Sequence, residues 1–385
     1  MPVNKIVTVP QTQNAAVRDG FGAEARVTVK NIPVTQPAPD QILVKINWSG
    51  LCASDRSLLR DEWVAYNGAI PPMSAQALGI AGHEGAGVVV AVGHQVSDLW
   101  KVGDRAGIKW IASTCGTCEM CSNGLDEAHC PSAAHHAVEL PGTFQEYCVT
   151  DGIYATKIPD GVRDEEAGPI MCGGFSAYAA CKRTAVKPGQ WIVILGAGGG
   201  VGHFALQYAK AMGMRAIAVD GGQKEKMCRD LGAEEFIDFS GDVVGEVMRI
   251  TTYGAHGVLV AASPQEAYDI APLTLRVRGT MVVSFSSSYS LLSKTNKLLH
   301  QQALAIPRSP TVVAGSSAAV VSGKRLNIVG SLVGTKKEAE EALDFTARGL
   351  VHPVLTKGTL GDVDKFCDLL EAGQIHGRVV LKVSS

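Results

Sequence analysis

Hydrophobic and polar positions follow two different rhythms along this chain. Between residues 40 and 154, short apolar runs at 42–46, 87–92, 106–111 and 144–149 are broken by glycines, which predicts a mostly β half. From Trp191 the rhythm changes to strand and helix in alternation. Strands are predicted at 191–195, 215–220 and 236–239, with helices at 200–212 and 224–231 between them. Such alternation predicts βαβ units and a parallel sheet, to which 257–261, 280–285 and 326–332 contribute later strands. Helical periodicity returns at 336–348 and 362–371, and an apolar run at 377–383 closes the chain as a strand. The stretch 284–323, rich in Ser and Ala with weak periodicity, reads as a loop-dominated insertion carrying a short helix at 291–304. No internal repeat and no long polar linker separates independent modules.

Length changes this picture only by fixing its scale: 385 residues suit two domains, each able to bury its own core. With 46% hydrophobic and 19% charged residues, disorder is excluded as the main state. The formal net charge is -2, so neither nucleic acid nor an anionic membrane is expected as partner. No run of about 18 apolar residues predicts a membrane-spanning helix. Residues 1–20 lack a signal-peptide or transit-peptide pattern, so the expected location is cytoplasmic.

In a reducing compartment, clustered cysteines point to metal rather than disulfides. Of ten cysteines, Cys115, Cys118, Cys121 and Cys130 are separated by gaps of two, two and eight residues, a spacing that wraps four thiolates around one tetrahedral ion. Zinc suits such a set, and a closed four-thiolate site holds structure rather than reacting. His129 is a competing fourth ligand. The segment carries Glu119, Asp126 and Glu127 with just Lys109 flanking it, too little positive charge for a nucleic-acid module.

A second group is scattered: Cys52 in Gly-Leu-Cys-Ala-Ser-Asp, His83 and Glu84 in Gly-His-Glu-Gly, and Cys172 in Met-Cys-Gly-Gly. Two thiolates and an imidazole leave a fourth zinc position for water or substrate, the stoichiometry of a catalytic site. Singly, each of these residues reads as an ordinary buried cysteine or histidine; together they make the case.

The third signal is Gly196-Ala197-Gly198-Gly199-Gly200-Val201-Gly202, between the predicted strand 191–195 and a helix. Such a turn lets backbone N–H groups approach a pyrophosphate at a helix N-terminus. Asp220 ends the next strand about 20 residues on, where a carboxylate accepts ribose hydroxyls and repels a 2′-phosphate, which predicts NAD rather than NADP.

In combination these features resemble the zinc-dependent medium-chain alcohol dehydrogenases, and are most similar to the tetrameric yeast and fungal enzymes. The resemblance runs through nearly the whole chain, including 82–93 (GHEGAGVVVAVG), 106–110 (AGIKW), 142–147 (GTFQEY), 201–213 (VGHFALQYAKAMG), 342–351 (ALDFTARGLV) and 373–378 (GQIHGR). It implies an α/β protein: a GroES-like, mostly β catalytic domain at 1–172, a Rossmann domain with a doubly wound parallel sheet at 173–335, and a C-terminal return at 336–385. It implies NAD and two zinc ions per subunit, one catalytic on Cys52, His83 and Cys172 and one structural on Cys115, Cys118, Cys121 and Cys130. Glu84 would be an alternative ligand or electrostatic modulator, Asp55 would orient His83, and Ser54 would bond the substrate oxygen and pass on its proton. Lys224 would reach the adenosine ribose, Arg378 the pyrophosphate, and Val283, Ser284 and Phe285 the nicotinamide amide. The implied reaction interconverts alcohols with aldehydes or ketones, and the implied assembly is a homotetramer.

The chain also departs from the family. Ala53 replaces a basic residue near the pyrophosphate, and Ser57 stands where relatives often carry the histidine that completes the proton relay. The connection from Cys52 to His83 is long, through 61–66, and the 284–323 insertion begins where nicotinamide and substrate would lie. These changes surround the pocket and spare the ligands, so the expected substrate is larger than ethanol. The alternative is a non-catalytic, zinc-stabilised NAD-binding scaffold whose missing histidine marks lost activity; a zinc-free quinone reductase is disfavoured by the three ligand motifs.

Overall fold

A computed structural model describes residues 8–61, 72–123, 127–284 and 318–384. The expected helix at 291–304, Phe285, and residues 62–66 of the long connection lie outside these. The chain opens on an antiparallel pair, β1 (Thr12–Asp19) and β2 (Arg26–Pro33), followed by β3 (Gln41–Leu51), helix α1 (Ala53–Leu59), β4 (Gly85–Val92), β5 (Arg105–Ile108) and β6 (Ile111–Ser113). The short helix α2 (Glu119–Ser122), β7 (Ala134–His135), β8 (Tyr147–Asp151), β9 (Thr156–Lys157), α3 (Asp164–Pro169) and α4 (Phe175–Arg183) complete this half.

The predicted strand 106–111 is two strands in two different sheets. β5 joins the large sheet, whereas β6 pairs with β7. Between them Lys109 turns inward, its Nζ donating to the Tyr154 carbonyl at 2.7 Å and the Thr156 hydroxyl at 2.6 Å. A buried ammonium needs those partners, and satisfying them breaks the ladder. The strand expected at 144–149 starts later, at Tyr147.

Next comes β10 (Trp191–Leu195), then α5 (Gly202–Ala211), β11 (Arg215–Asp220), α6 (Glu225–Asp230), β12 (Glu235–Asp238), α7 (Val243–Thr251), β13 (Ala255–Val260), α8 (Gln265–Thr274), β14 (Leu275–Ser284), α9 (Ala318–Lys324) and β15 (Asn327–Ser331). These six strands form one parallel sheet in the order β12-β11-β10-β13-β14-β15. Helix α9 occupies the end of the segment expected to be loop-dominated. Side-chain alternation explains burial on both faces. Ile192 and Ile194 join a core with Phe204, Tyr208, Ala339 and Leu343, whereas Trp191, Val193 and Leu195 join another with Val247, Tyr268 and Ala271. The chain winds outward from β10 to β12 and then crosses back to β13, so a crevice opens at the carboxyl ends of β10 and β13.

Helix α10 (Lys336–Ala347) follows, and the chain returns as β16 (Leu355–Thr359), α11 (Val363–Glu371) and β17 (Arg378–Lys382). β17 pairs antiparallel with β3, completing a seven-stranded mixed sheet of β16-β17-β3-β4-β5-β9 with β8 on β3. The C-terminal return and the first half of the chain therefore share one sheet, and β17 delivers Arg378 to the side facing the second domain. Among the described residues no helix is long and apolar enough to cross a membrane.

Candidate active site and metal centres

Four local structures converge on one buried cluster. β3 ends at Leu51, and Cys52 occupies the N-cap of α1. Asp55 at the third helical position reaches back, its Oδ2 accepting the Cys52 N–H at 2.8 Å. Its Oδ1 accepts from the Gly82 N–H at 3.0 Å and lies 2.7 Å from His83 Nδ1. One fully buried carboxylate thus fixes the cap, the approach to β4 and the imidazole. Asp55 holds the Nδ1 edge of His83 and so turns Nε2 toward Cys172 Sγ, 3.3 Å away.

Cys172 sits in a π-helical turn, Ile170–Gly174, between α3 and α4. Such turns widen a helix by one residue and recur at functional sites. The ligand atoms of Cys52, His83, Glu84 and Cys172 all lie within 4.8 Å of one another, and Ser54 Oγ is 3.7 Å from Cys52 Sγ. The Cys52 thiol is pushed well below the ordinary range, first by a hydrogen bond from Cys172 and then by the positive charge of Arg378, against burial. Cys172 is pushed well above it by the same sulfur contact and by burial. A soft cation between the two sulfurs would take the place of thiol protons. Burial raises the Glu84 carboxyl to about 8 despite its ion pair with Arg378, and Glu84 Oε2 is buried without a partner. The donor set and this orphaned oxygen fit zinc.

Removing the Asp55 charge tests how far this arrangement depends on the residue behind the imidazole. Asp55→Asn keeps the shape but weakens the grip on His83. We expect a loss of about 10- to 100-fold in metal affinity or turnover, read by metal titration and initial rates.

The other cluster is a loop. Sγ atoms of Cys115, Cys118, Cys121 and Cys130 lie within 4.8 Å of one another, while His129 is exposed and not in the group. The Cys118 N–H donates to Cys115 Sγ at 3.3 Å and the Cys115 N–H to Cys130 Sγ at 3.4 Å. Backbone N–H groups of Thr117 and Cys118 pull the Cys115 thiol down to about 6, which suits thiolate ligation. The remaining cysteines, 148, 181, 228 and 367, are buried, and burial lifts each thiol to about 12.

At the edge of the crevice, the glycine-rich turn follows β10 directly. Gly196 has φ +79°, and a Cβ on Gly202 would lie 2.1 Å from the Gly196 carbonyl oxygen, so neither position accepts a side chain without distortion. Asp220 closes the turn: its Oδ2 accepts the Gly198 N–H at 2.8 Å and its Oδ1 the Gly221 N–H at 2.8 Å, with Lys224 Nζ 3.1 Å away. Val283 lies level with Val260, which lies level with Leu195, so β14 ends on the same edge as the turn. Ser284 is the last residue of β14. Arg378 joins the two halves. Its guanidinium pairs with Glu84, Nη1 is 4.0 Å from Cys52 Sγ, and a Cβ on Gly200 would lie 2.9 Å from Nη1. Arg378 Nε is buried without a partner beside this turn, which fits an anionic group of a dinucleotide.

One residue of this region carried no sequence signal of its own. His203, on the first turn of α5, is fully buried; its Nδ1 lies 2.9 Å from the Gly199 carbonyl, and its Nε2 has no partner. Its place in the turn's scaffold depends on the helix register, which the glycine pattern alone does not specify.

Residues 38–160 match the alcohol dehydrogenase GroES-like domain family, and residues 200–348 match the zinc-binding dehydrogenase family. The chain belongs to the zinc-dependent medium-chain alcohol dehydrogenases. It is 39% identical to an alcohol dehydrogenase of Schizosaccharomyces pombe over 98% of this chain and 100% of that one. To alcohol dehydrogenase 1 of Emericella nidulans it is 38% identical, over 98% and 99%. A solved NAD-dependent alcohol dehydrogenase superposes with a TM-score of 0.79 at 26% identity, covering 97% of this chain and 100% of that one. The GroES-like and Rossmann architecture expected from the sequence is therefore shown, and so is the kinship with fungal alcohol dehydrogenases.

Proposed function

We propose that this alcohol dehydrogenase oxidises an alcohol to an aldehyde or ketone with NAD, and runs the reverse with NADH, at a catalytic zinc held by Cys52, His83 and Cys172. The observation that carries this is a contact: a Cβ on Gly173, next to Cys172, would lie 3.3 Å both from the Gly200 carbonyl and from Arg378. The metal-ligating turn and the dinucleotide turn are thus backed against each other. Zinc on these ligands would supply the Lewis acidity that lowers the pKa of an alcohol hydroxyl, and NAD would supply the hydride acceptor.

The chain's own residues supply order around that chemistry. Asp55 holds His83 in the tautomer that presents Nε2. Ser54, beside Cys52, is placed to accept a hydrogen bond from a substrate hydroxyl and pass its proton on; Ser57 lacks a ring nitrogen, so the proton leaves by water or the cofactor ribose. Glu84 and Arg378 form a buried pair beside the ligands, with Glu84 Oε2 available to the metal. By resemblance to the family, Asp220 and Lys224 would serve the adenosine ribose, Arg378 the pyrophosphate, and the backbone at 283–285 the nicotinamide. A second, structural zinc belongs to Cys115, Cys118, Cys121 and Cys130. The domain division follows 1–172, 173–335 and 336–385 and the assembly is a homotetramer, both on family resemblance, and the expected compartment is the cytoplasm.

The substrate is larger than ethanol, because the departures from the family fall in 61–66 and 284–323, stretches that border the substrate in the family it resembles. Purified enzyme offered NAD and a panel of primary, secondary and aromatic alcohols should show its highest kcat/KM away from ethanol. Ethanol at the top of that ranking would end the idea.

A further inference from the structure

A carboxylate of the four-cysteine lobe reaches the N-terminus of α10. Glu127 lies three residues before Cys130, in a short 3-10 turn, Glu127–His129, and the Cys130 N–H donates to the Glu127 carbonyl at 3.1 Å. Its side chain leaves the lobe. Oε1 accepts the Tyr154 hydroxyl at 3.0 Å and the backbone N–H of Lys336, the first residue of α10. Lys336 Nζ in turn donates to the Ile153 carbonyl, and Lys109 lies 4.5 Å from the centre of the Tyr154 ring while donating to the Tyr154 carbonyl. A helix N-terminus presents unpaired N–H groups and a partial positive charge, both satisfied well by a carboxylate. Here that carboxylate comes from 209 residues earlier in the chain.

Beyond its first turn, α10 packs against the segment that carries Cys172. Ala339, Ala342 and Leu343 share a core with Ile170, Met171 and Phe175, and Ala128 and Ala133 of the lobe pack on the same core. Thr335 and Glu338 complete the cap from within the helix, Thr335 Oγ1 accepting the Glu338 N–H at 3.1 Å. We infer that Glu127 is a positioning residue: it fastens α10 to the four-cysteine lobe and, through α10, sets the place of the Cys172 turn, so that order in the lobe reaches the reaction centre. This rests on the assignment of Cys172 to the catalytic metal. Packed side chains with a fixed hydrogen-bonded anchor are the physical kind of path along which such coupling travels.

The test compares Glu127→Ala with Glu127→Gln, whose amide oxygen still accepts from Lys336 and Tyr154, and with Tyr154→Phe. Three readouts are taken on the full-length, metal-replete protein: hydrogen exchange, the visible absorption of cobalt placed at the Cys52–His83–Cys172 group, and kcat against KM. With both metals retained, Glu127→Ala should raise exchange at least about tenfold in 335–339 and in 170–174, shift the cobalt bands and lower kcat about tenfold. Glu127→Gln should keep most of the native behaviour and Tyr154→Phe should fall between. Should Glu127→Ala fail to fold, the graded response of the other two decides: a tyrosine variant with raised exchange in both segments supports the strut. Exchange that rises within 115–135 alone, with unshifted cobalt bands in the variants, overturns it. If the wild type bound cobalt but oxidised no alcohol, the proposed function would fall, while the exchange pattern would still decide the role of Glu127.

Discussion

His83→Ala should abolish turnover while the chain stays folded. The imidazole is one of three groups held around the metal position, and Asp55, which orients it, is anchored independently by the N–H groups of Cys52 and Gly82. Removing the ring therefore leaves the cap of α1 and the approach to β4 in place. The activity loss should be about a thousandfold or more, since Lewis-acid stabilisation contributes several kcal/mol and each 1.4 kcal/mol is about tenfold in rate. Metal analysis should register one zinc per chain in place of two, because the four-cysteine lobe is untouched. Cys172→Ser should behave alike in stoichiometry. A His83→Ala protein that keeps both ions and more than about a tenth of its kcat would show that the reaction centre lies elsewhere.

The second large effect concerns cofactor choice. Asp220→Asn leaves one acceptor oxygen where two now meet the Gly198 and Gly221 N–H groups, which loosens the glycine-rich turn, and it deletes the charge that would repel a 2′-phosphate. A unit-charge repulsion at about 4 Å near a protein surface is on the order of 4 kcal/mol before solvent relaxation. The preference for NAD over NADP, taken as a ratio of kcat/KM values, should therefore fall by about a hundredfold. Steady-state rates with the two cofactors measure it. A ratio that moved less than twofold would mean that Asp220 only builds the turn, a role its hydrogen bonds also fit.

Much of this site was legible because its signals are local. The run from β10 through the glycines to α5 and Asp220 occupies about 30 consecutive residues, and its rules concern neighbours: a turn too tight for side chains, a helix N-terminus, a carboxylate at a strand end. The four cysteines are similarly close in sequence. The scattered group was found through three short motifs taken together, and the structure adds what no motif contains, the shared Asp55 carboxylate and the π-helical turn beneath Cys172. Illegible features depend on distant partners. The run 106–111 has the composition of one strand, but Lys109 is drawn inward by Tyr154 and Thr156, more than 40 residues on. The contact between Glu127 and the N-terminus of α10 spans 209 residues and leaves no periodic trace. Helices α7 and α8 match no element expected from the sequence, although Val243, Val247 and Tyr268 bury against the sheet.

The central claim is that zinc on the Cys52–His83–Cys172 group drives hydride transfer to NAD. The most direct test follows NADH absorbance with purified protein, NAD and an alcohol from the panel, first metal-replete, then after chelation, then after zinc is returned. The account predicts NADH formation that disappears on chelation and comes back with zinc. Zinc-free protein that reduces NAD at the full rate would contradict it, as would metal-replete protein that binds NAD and oxidises none of the alcohols.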